Sequence, residues 1–154
     1  AGPTLGRFRQ AWAKPTKGPE ATAAESNGQG GLAIGPHPFS AFHKGMRKHA
    51  IMRIHNSTDP LLYWDALEGY NPSTAGRYGR SATILLAGRL GLPLVGNSDS
   101  HTLDTIGDGR THFPGSTADE YRRAMTDQGK CLIRVTLSRW GPIATGGFPA
   151  RLAD

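Results

Sequence analysis

The chain has 154 residues, enough for one domain with a core of its own and too few for two domains to be expected. Its formal charge of +6 belongs wholly to residues 1–56, which hold eight Lys and Arg against two Glu. A single Cys excludes an intrachain disulfide and a thiolate-cluster zinc site, and no run of about 18 apolar residues is present to span a membrane, so we expect a cytoplasmic protein.

The first 29 residues show no sustained hydrophobic period and offer little to bury. We therefore predict a flexible, basic lead-in over 1–29, a folded portion over 30–138 and a C-terminal tail over 139–154. The folded portion begins with a short apolar run at 32–34 between glycines, which predicts a buried strand. His37 follows this strand between two prolines that hold its backbone.

Three elements are predicted next along the chain. Residues 40–55 indicate a basic, amphipathic helix with Phe42 and Met46 four positions apart on one face. Residues 65–70 form the next strand, which carries Glu68 and is closed by the turn that begins at Asn71. Residues 73–90 then predict a single helix that ends at Gly91. Its predicted buried stripe consists of Ala75, Ala82, Leu85, Leu86 and Leu90.

The last third predicts a strand at 92–96, a turn at 107–113, a helix and a final strand at 130–137. The sequence TADE at 117–120 is a capping box, which predicts that the helix begins there, and Gly129 predicts its end. The order of elements predicts an α/β fold of mostly parallel strands with flanking helices. In such folds the ligand site lies beyond the carboxyl ends of the strands.

Polar side chains follow three successive predicted strands, namely His37, then Glu68 with Asn71, then Asp99 with His101. Two residues that lie two apart in extended chain point to the same side, so Asp99 and His101 can address one ion. A carboxylate beside an imidazole suits zinc, manganese or iron. Taken alone, the Asp99 pair also fits a simple polar turn, and Glu68 also fits an ion pair with an arginine of the following helix.

These residues lie within GLAIGPHPFS, DALEGYN, GLPLVGNSDSH and TIGDGRTHF, which occur in this order between about Gly30 and Thr136. Together they resemble the C-terminal half of the PHP (polymerase and histidinol phosphatase) domain. The resemblance implies part of a distorted β/α barrel and the activity of a metal-dependent phosphoesterase or phosphatase. It implies two or three divalent transition metals, typically Zn, Mn or Fe, that activate water to hydrolyse a phosphomonoester or nucleotide.

By the same resemblance, His37, Asp99 and His101 match metal ligands of the family. Glu68 and Asn71 match a recurrent E-x-x-N near the site, with Glu68 a weaker metal ligand and Asn71 a substrate contact. Arg77 or Arg80 would bind phosphate, or would be an ordinary exposed residue on the helix surface.

The chain departs from the family in its first 29 residues, which contain no H-x-H and no further ligands. Three ligands do not fill a multinuclear site, and about four strands do not close a barrel. We therefore expect a fragment or a catalytically incomplete member, with an exposed sheet edge that favours a homodimer. The alternatives are a non-catalytic module that binds nucleic acid or another polyanion through residues 40–56, and a pseudoenzyme that keeps a metal for structure.

Overall fold

A parallel sheet of three strands positions the loops that carry His37, Asn71 and Asp99. The computed structural model describes residues 18–40, 45–126 and 134–137. Strands β1 (Ile34–Gly35), β2 (Ala66–Tyr70) and β3 (Leu94–Gly96) lie side by side in that order and run parallel. The predicted α/β class is therefore confirmed, and in the described part of the chain the sheet is open and not closed into a barrel.

Helices join and cover these strands. They are α1 (Pro19–Gly28), α2 (Lys48–His55), α3 (Thr74–Arg77), α4 (Arg80–Leu90) and α5 (Ala118–Thr126), with one turn of 3-10 helix at Leu103–Thr105. None of the helices within the described ranges has the length and apolar character needed to cross a membrane.

The core lies on both faces of the sheet, as expected for buried parallel strands. One cluster packs α2 and α4 against one face, and a smaller cluster packs α5 against the other. Fully buried aliphatic side chains such as Ile51, Ile54 and Leu67 each stabilise the fold by about 1.5–3 kcal/mol. Because this packing fixes the three strands, it also fixes the points at which the site loops follow their carboxyl ends.

A second, antiparallel pair of strands corrects the predicted turn at 107–113. Strand β4 (Gly109–His112) pairs with β5 (Arg134–Leu137). Thr111 also fixes β4 beside β3, because its hydroxyl donates to the Gly96 carbonyl at 2.8 Å and accepts from the Gly96 N–H at 2.9 Å. Strand β4 was not predicted because its sequence is polar. The Thr111 hydroxyl and pairing with β5 stabilise it instead of hydrophobic burial.

The predicted lead-in contains a helix that the sequence analysis missed. Helix α1 buries Ala23 and Asn27 although it has almost no apolar face. The Asn27 amide donates to the carbonyls of Leu61 and Tyr63 at 2.8 and 3.1 Å, and Glu20 forms an ion pair with Arg53 of α2. Tertiary hydrogen bonds therefore replace the hydrophobic periodicity on which the prediction relied. Residues 1–17 lie outside the described ranges.

The helix predicted over 40–55 is shorter than expected. Helix α2 begins only at Lys48, so Met46 is not helical, and Phe42 lies outside the described residues. Its buried face consists of Ala50, Ile51 and Ile54. The predicted pairing of Phe42 with Met46 on one helix face is therefore not part of this helix.

The helix predicted over 73–90 is divided into α3 and α4. Its predicted stripe is confirmed for Leu86 and Leu90, which lie in or against the core, and was wrong for Ala82, which is exposed, and for Leu85, which is 65% exposed. The buried face of α4 instead contains Thr83, Leu86 and Ala87. Helix α4 ends at Gly91 in the left-handed conformation (φ 66°), as predicted.

Helix α5 begins with the predicted capping box. The Thr117 N–H donates to Glu120 Oε2 at 3.0 Å, and the Glu120 N–H donates to Thr117 Oγ1 at 3.3 Å. This exchange satisfies two amide groups that the first turn of a helix leaves unpaired. The predicted end at Gly129 and the tail over 139–154 lie outside the described residues.

Candidate functional site

The loops that leave the three parallel strands carry the predicted site residues. His37 lies just beyond β1, Asn71 directly follows β2, and Asp99 follows β3. The carboxyl ends of parallel strands lie at the same edge of the sheet. Side chains on the loops that follow them therefore lie close together although they are distant in sequence. The predicted convergence at this edge is seen for His37, Glu68, Asn71 and Asp99 through the contacts that follow.

Glu68 connects the first two loops from a buried position in β2. It is 4% exposed, and its Oε2 accepts the His37 backbone N–H at 2.5 Å and the Asn71 amide at 3.3 Å. Burial raises the pKa of Glu68 above its usual value, and the hydrogen bonds from His37 and Asn71 oppose that shift only in part. The carboxylate thus holds the His37 loop against β2.

Asp99 is the carboxylate of the third loop. Partial burial favours a higher pKa for Asp99, but hydrogen bonds from Asn71 and Ser73 and the nearby imidazoles of His37 and His101 outweigh it, so its pKa lies below the usual value. The Ser73 hydroxyl donates to Asp99 Oδ2 at 2.9 Å. An ionised carboxylate therefore lies within electrostatic reach of His37.

Two of these loops hold their key residue in an unfavourable backbone conformation. In the described part of the chain, the non-glycine residues with positive φ are His37 (23°), Phe39 (61°) and Asp99 (49°). Such conformations cost about 1–3 kcal/mol each and persist where the surrounding structure enforces them. Both His37 and Asp99 were predicted as site residues from sequence, and strain of this kind concentrates at functional sites.

Close contact with the start of α4 fixes the backbone of the loop that follows β1 and carries His37. A Cβ atom on Gly79 would lie 2.0 Å from the Pro38 carbonyl oxygen, so only glycine allows this contact. Thr83 of α4 lies beneath the same point, where its hydroxyl donates to the Gly79 carbonyl at 2.9 Å. The loop that carries His37 is therefore pressed between α4 and Glu68.

His37 also has a side-chain atom without a partner. Its Nδ1 is buried, and no hydrogen-bond partner for it is found among residues 18–40, 45–126 and 134–137. A buried polar atom left unpaired costs about 1–3 kcal/mol, and a metal ion would remove that cost. An imidazole and an ionised aspartate within electrostatic reach of each other are donor types that suit zinc, manganese or iron.

His101 is placed differently from His37. It is exposed, and its Nδ1 lies 2.8 Å from the backbone carbonyl of Asp99. Within the described ranges, no three His, Cys, Asp or Glu side chains are grouped as a metal site requires. The donor types thus suit a transition metal, but the described residues group fewer than three of them.

The two predicted phosphate-binding arginines differ in surroundings. Arg77 is exposed at the end of α3. Arg80 is half-buried, and its guanidinium carbon lies 4.4 Å from the centre of the Tyr70 ring. Tyr70 was not predicted as a partner of Arg80, because no spacing rule connects a strand residue to the first turn of the next helix.

Ser73 was missed as well, since it was treated only as the first residue of the helix predicted over 73–90. Its backbone N–H donates to Asn71 Oδ1 at 2.8 Å, and this turn directs the Ser73 hydroxyl toward Asp99. The sequence Asn71-Pro72-Ser73 is a known turn signal and could have indicated it.

In a comparison with protein families, residues 83–126 match the family model described as PHP-associated. No curated protein and no solved structure matches the chain. The matched range runs from within α4 to the end of α5, so it includes the Asp99 loop and ends where α5 packs on the sheet. The resemblance predicted from sequence is confirmed over this range, in which the chain is similar to a PHP-associated region.

Proposed function

We propose that this chain provides one part of a metal-dependent phosphoesterase site of PHP type. The observation that supports it most is the meeting of His37, Glu68, Asn71 and Asp99 at the carboxyl edge of the parallel sheet, with the buried His37 Nδ1 unpaired among the described residues. The PHP-associated match over residues 83–126 gives this edge its family context.

In this proposal His37 and Asp99 are the metal ligands that the described residues offer, and His101 joins them if its loop turns inward. Bound Zn, Mn or Fe would activate a water for attack on phosphorus and neutralise the developing charge. Glu68 acts on the His37 backbone, because its Oε2 already accepts two hydrogen bonds and its burial disfavours the free charge. Asn71 connects Glu68 to Asp99 and keeps the two loops together.

The substrate would be a phosphomonoester or a nucleotide. A complete site needs donors in addition to these, since the described residues group fewer than three. Those donors would come from the remainder of the chain, from a longer protein that contains it, or from a partner chain. Catalysis by the chain alone is therefore a separate question from metal binding, and the two are measured separately.

Metal binding is tested by calorimetric titration of the full chain with Zn²⁺ and Mn²⁺ after treatment with chelator. We expect His37→Gln and Asp99→Asn each to weaken binding by about tenfold or more, since each removes a ligand. His49→Gln is the matched control, because His49 is an exposed histidine on α2. Equal affinity in the wild type and in both site variants would contradict the proposal.

Hydrolysis is tested with p-nitrophenyl phosphate and nucleoside monophosphates in the metal-loaded chain. Turnover that disappears in Asp99→Asn supports the phosphoesterase. Metal binding with higher thermal stability and no turnover supports the pseudoenzyme instead, since a ligand that binds only the native state stabilises it.

The polyanion-binding alternative is less well supported. The basic helix on which it relied is reduced to Lys48–His55, and Arg53 in that helix pairs with Glu20. Salt-dependent binding of nucleic acid that persists in Asp99→Asn would favour it over the enzyme.

A further inference from the structure

The side-chain amide of Asn27 joins the end of α1 to the loop before β2. Its Nδ2 donates to the carbonyls of Leu61 and Tyr63 at 2.8 and 3.1 Å, and the residue is only 7% exposed. Its Oδ1 is buried as well, and no hydrogen-bond partner for this oxygen is found in the described part of the chain. The docking of the helix end therefore depends on the two N–H donors of this amide.

The residue after Asn27 makes this amide chemically reactive. Of the four asparagines in the chain, Asn27 alone precedes a glycine, since Asn56 and Asn97 precede serines and Asn71 precedes a proline. Glycine has no side chain to hinder its backbone nitrogen, and its backbone is the least restricted of all residues. Asn27 is therefore the asparagine of this chain that the following backbone nitrogen attacks most readily.

The reaction is a ring closure followed by hydrolysis, and water is its only co-reactant. The Gly28 nitrogen forms a bond to Asn27 Cγ and gives up its proton, while the bond from Cγ to Nδ2 breaks and Nδ2 leaves as ammonia. Water then opens the cyclic imide at either of its carbonyl carbons. The product carries a carboxyl group in place of the amide, as aspartate or as isoaspartate, in which the main chain runs through the former side chain.

The docked helix opposes this ring closure. Gly28 is the last residue of α1, so Asn27 has a helical backbone. In a helix the next N–H is directed along the axis toward the carbonyl four residues back, and not toward the preceding side chain. The hydrogen bonds to Leu61 and Tyr63 hold the amide against the loop. Ring closure therefore requires the end of α1 to undock and unwind.

The product no longer fits the docked position. A carboxylate has no N–H to donate, and it would place negative oxygen atoms against the carbonyl oxygens of Leu61 and Tyr63 in a buried site. Isoaspartate also lengthens the main chain inside the last turn of the helix. Because ammonia is lost, the change is irreversible.

The same end of α1 also joins the helix to the sheet. The Gly31 N–H donates to the Ser26 carbonyl at 2.8 Å, and the Ser26 hydroxyl donates to the Leu32 carbonyl at 3.2 Å. Arg122 of α5 donates to the Gly31 carbonyl at 3.4 Å. The turn that leads from α1 into β1 thus depends on the helix end that Asn27 holds.

We propose that Asn27 is a site of spontaneous deamidation that the docking of α1 protects, and that its modification releases α1 as an irreversible structural switch. A chain whose α1 has undocked long enough to react is thereby kept undocked. The inference does not rest on the proposed function, because it uses no residue of the candidate site.

Protection is tested by incubating the full chain at mildly alkaline pH with and without urea, followed by peptide mass spectrometry. We expect Asn27 to react at least about tenfold more slowly in buffer than in urea, because the native chain reacts only through local opening. Asn56 is the internal control, since it is exposed in the native chain and its rate should change little. Equal rates for Asn27 in the two conditions overturn the inference.

The route of the reaction is tested with Gly28→Ala in urea. The added methyl group hinders ring closure and should slow the modification of Asn27 severalfold. In the native chain a Cβ on Gly28 would meet Leu61 Cδ1 at 3.6 Å, an ordinary contact, so the fold should be retained. A rate in urea equal to that of the wild type would refute attack by the Gly28 nitrogen.

The effect on α1 is measured by hydrogen exchange after refolding, in partly modified wild type and in Asn27→Asp. We expect α1 amides to lose protection by about tenfold or more in both, while those of α4 keep theirs. Asn56→Asp adds the same charge at an exposed position and should leave α1 protected. If Asn27→Asp also loses protection in α4, modified and unmodified molecules of the wild-type sample, distinguished by mass, give the result. Equal protection of α1 in both overturns the inference.

Discussion

Replacement of Gly79 by alanine should destabilise the protein by moving the loop that carries His37. A Cβ at this position would lie 2.0 Å from the Pro38 carbonyl oxygen and 3.1 Å from Phe39 Cβ, whereas real Cβ atoms essentially never approach closer than 3.0 Å. The Pro38 oxygen belongs to the backbone, so no side-chain rotation relieves the contact. The loop or the start of α4 must therefore move by about 1 Å, a form of overpacking that costs about 1–3 kcal/mol.

Part of this cost is offset in the unfolded state. Gly79 has helical dihedral angles (φ −84°, ψ −8°), so alanine adopts them without strain and lowers the entropy of the unfolded chain, a gain of about 0.4–1 kcal/mol. We expect Gly79→Ala to lower the free energy of unfolding by about 1–2 kcal/mol, measured by urea denaturation with circular dichroism. Metal affinity should fall with it, because the same contact places His37.

Gly88 provides a control in the same helix. It is exposed, and a Cβ there would meet nothing within 4 Å, so Gly88→Ala should raise the free energy of unfolding by about 0.5–1 kcal/mol. The two substitutions are chemically identical and differ only in what the added methyl group meets. If Gly79→Ala stabilises the protein as Gly88→Ala does, the account of how the His37 loop is held is wrong.

Three further substitutions test the fold around the site. Asn27→Ala leaves the backbone carbonyls of loop 61–63 without their donor and should lower the free energy of unfolding by about 1–3 kcal/mol in urea denaturation; no effect would mean that α1 does not dock. Thr117→Ala removes the capping box and should cost about 0.5–2 kcal/mol, with Thr117→Ser expected to retain most of the stability. Burial raises the pKa of Asp65 despite its hydrogen bond from the Ala33 N–H, so its contribution to stability is fully present below its usual pKa of 3.8 and is lost as pH rises through the higher native pKa. Asp65→Asn should therefore gain stability relative to the wild type as pH rises above about 4, and a difference that stays constant or shrinks would contradict this sign.

Strands buried on both faces were the elements best predicted from sequence. The segments at 65–70 and 92–96 were predicted as buried strands, and both are present within a residue or two of the predicted bounds. Helix α1 and strand β4 were missed for the opposite reason. Each is held by polar contacts to residues distant in sequence, through Asn27 in the helix and Thr111 in the strand, and such contacts leave no periodic pattern.

In helix α4 one buried polar residue explains why part of the buried face was predicted wrongly. Thr83 is fully buried because its hydroxyl donates to the Gly79 carbonyl, so the buried face passes through Thr83, Leu86 and Ala87. A pattern that excludes threonine shifts the face toward Leu85, which is exposed. The same hydroxyl lies beneath the close contact of Gly79 with Pro38, so the error in helix phase and the missed support of the site loop have one cause.

The candidate site was predictable in its location and unpredictable in its connections. The sequence places polar residues after three strands, and strand geometry alone brings those loops to one edge. What fixes their relative positions is a chain of side-chain contacts, from the His37 backbone to Glu68, from Glu68 to Asn71, and from Ser73 to Asp99. Glu68, predicted as a weaker ligand, also positions His37, because its buried Oε2 accepts the His37 backbone N–H and the Asn71 amide.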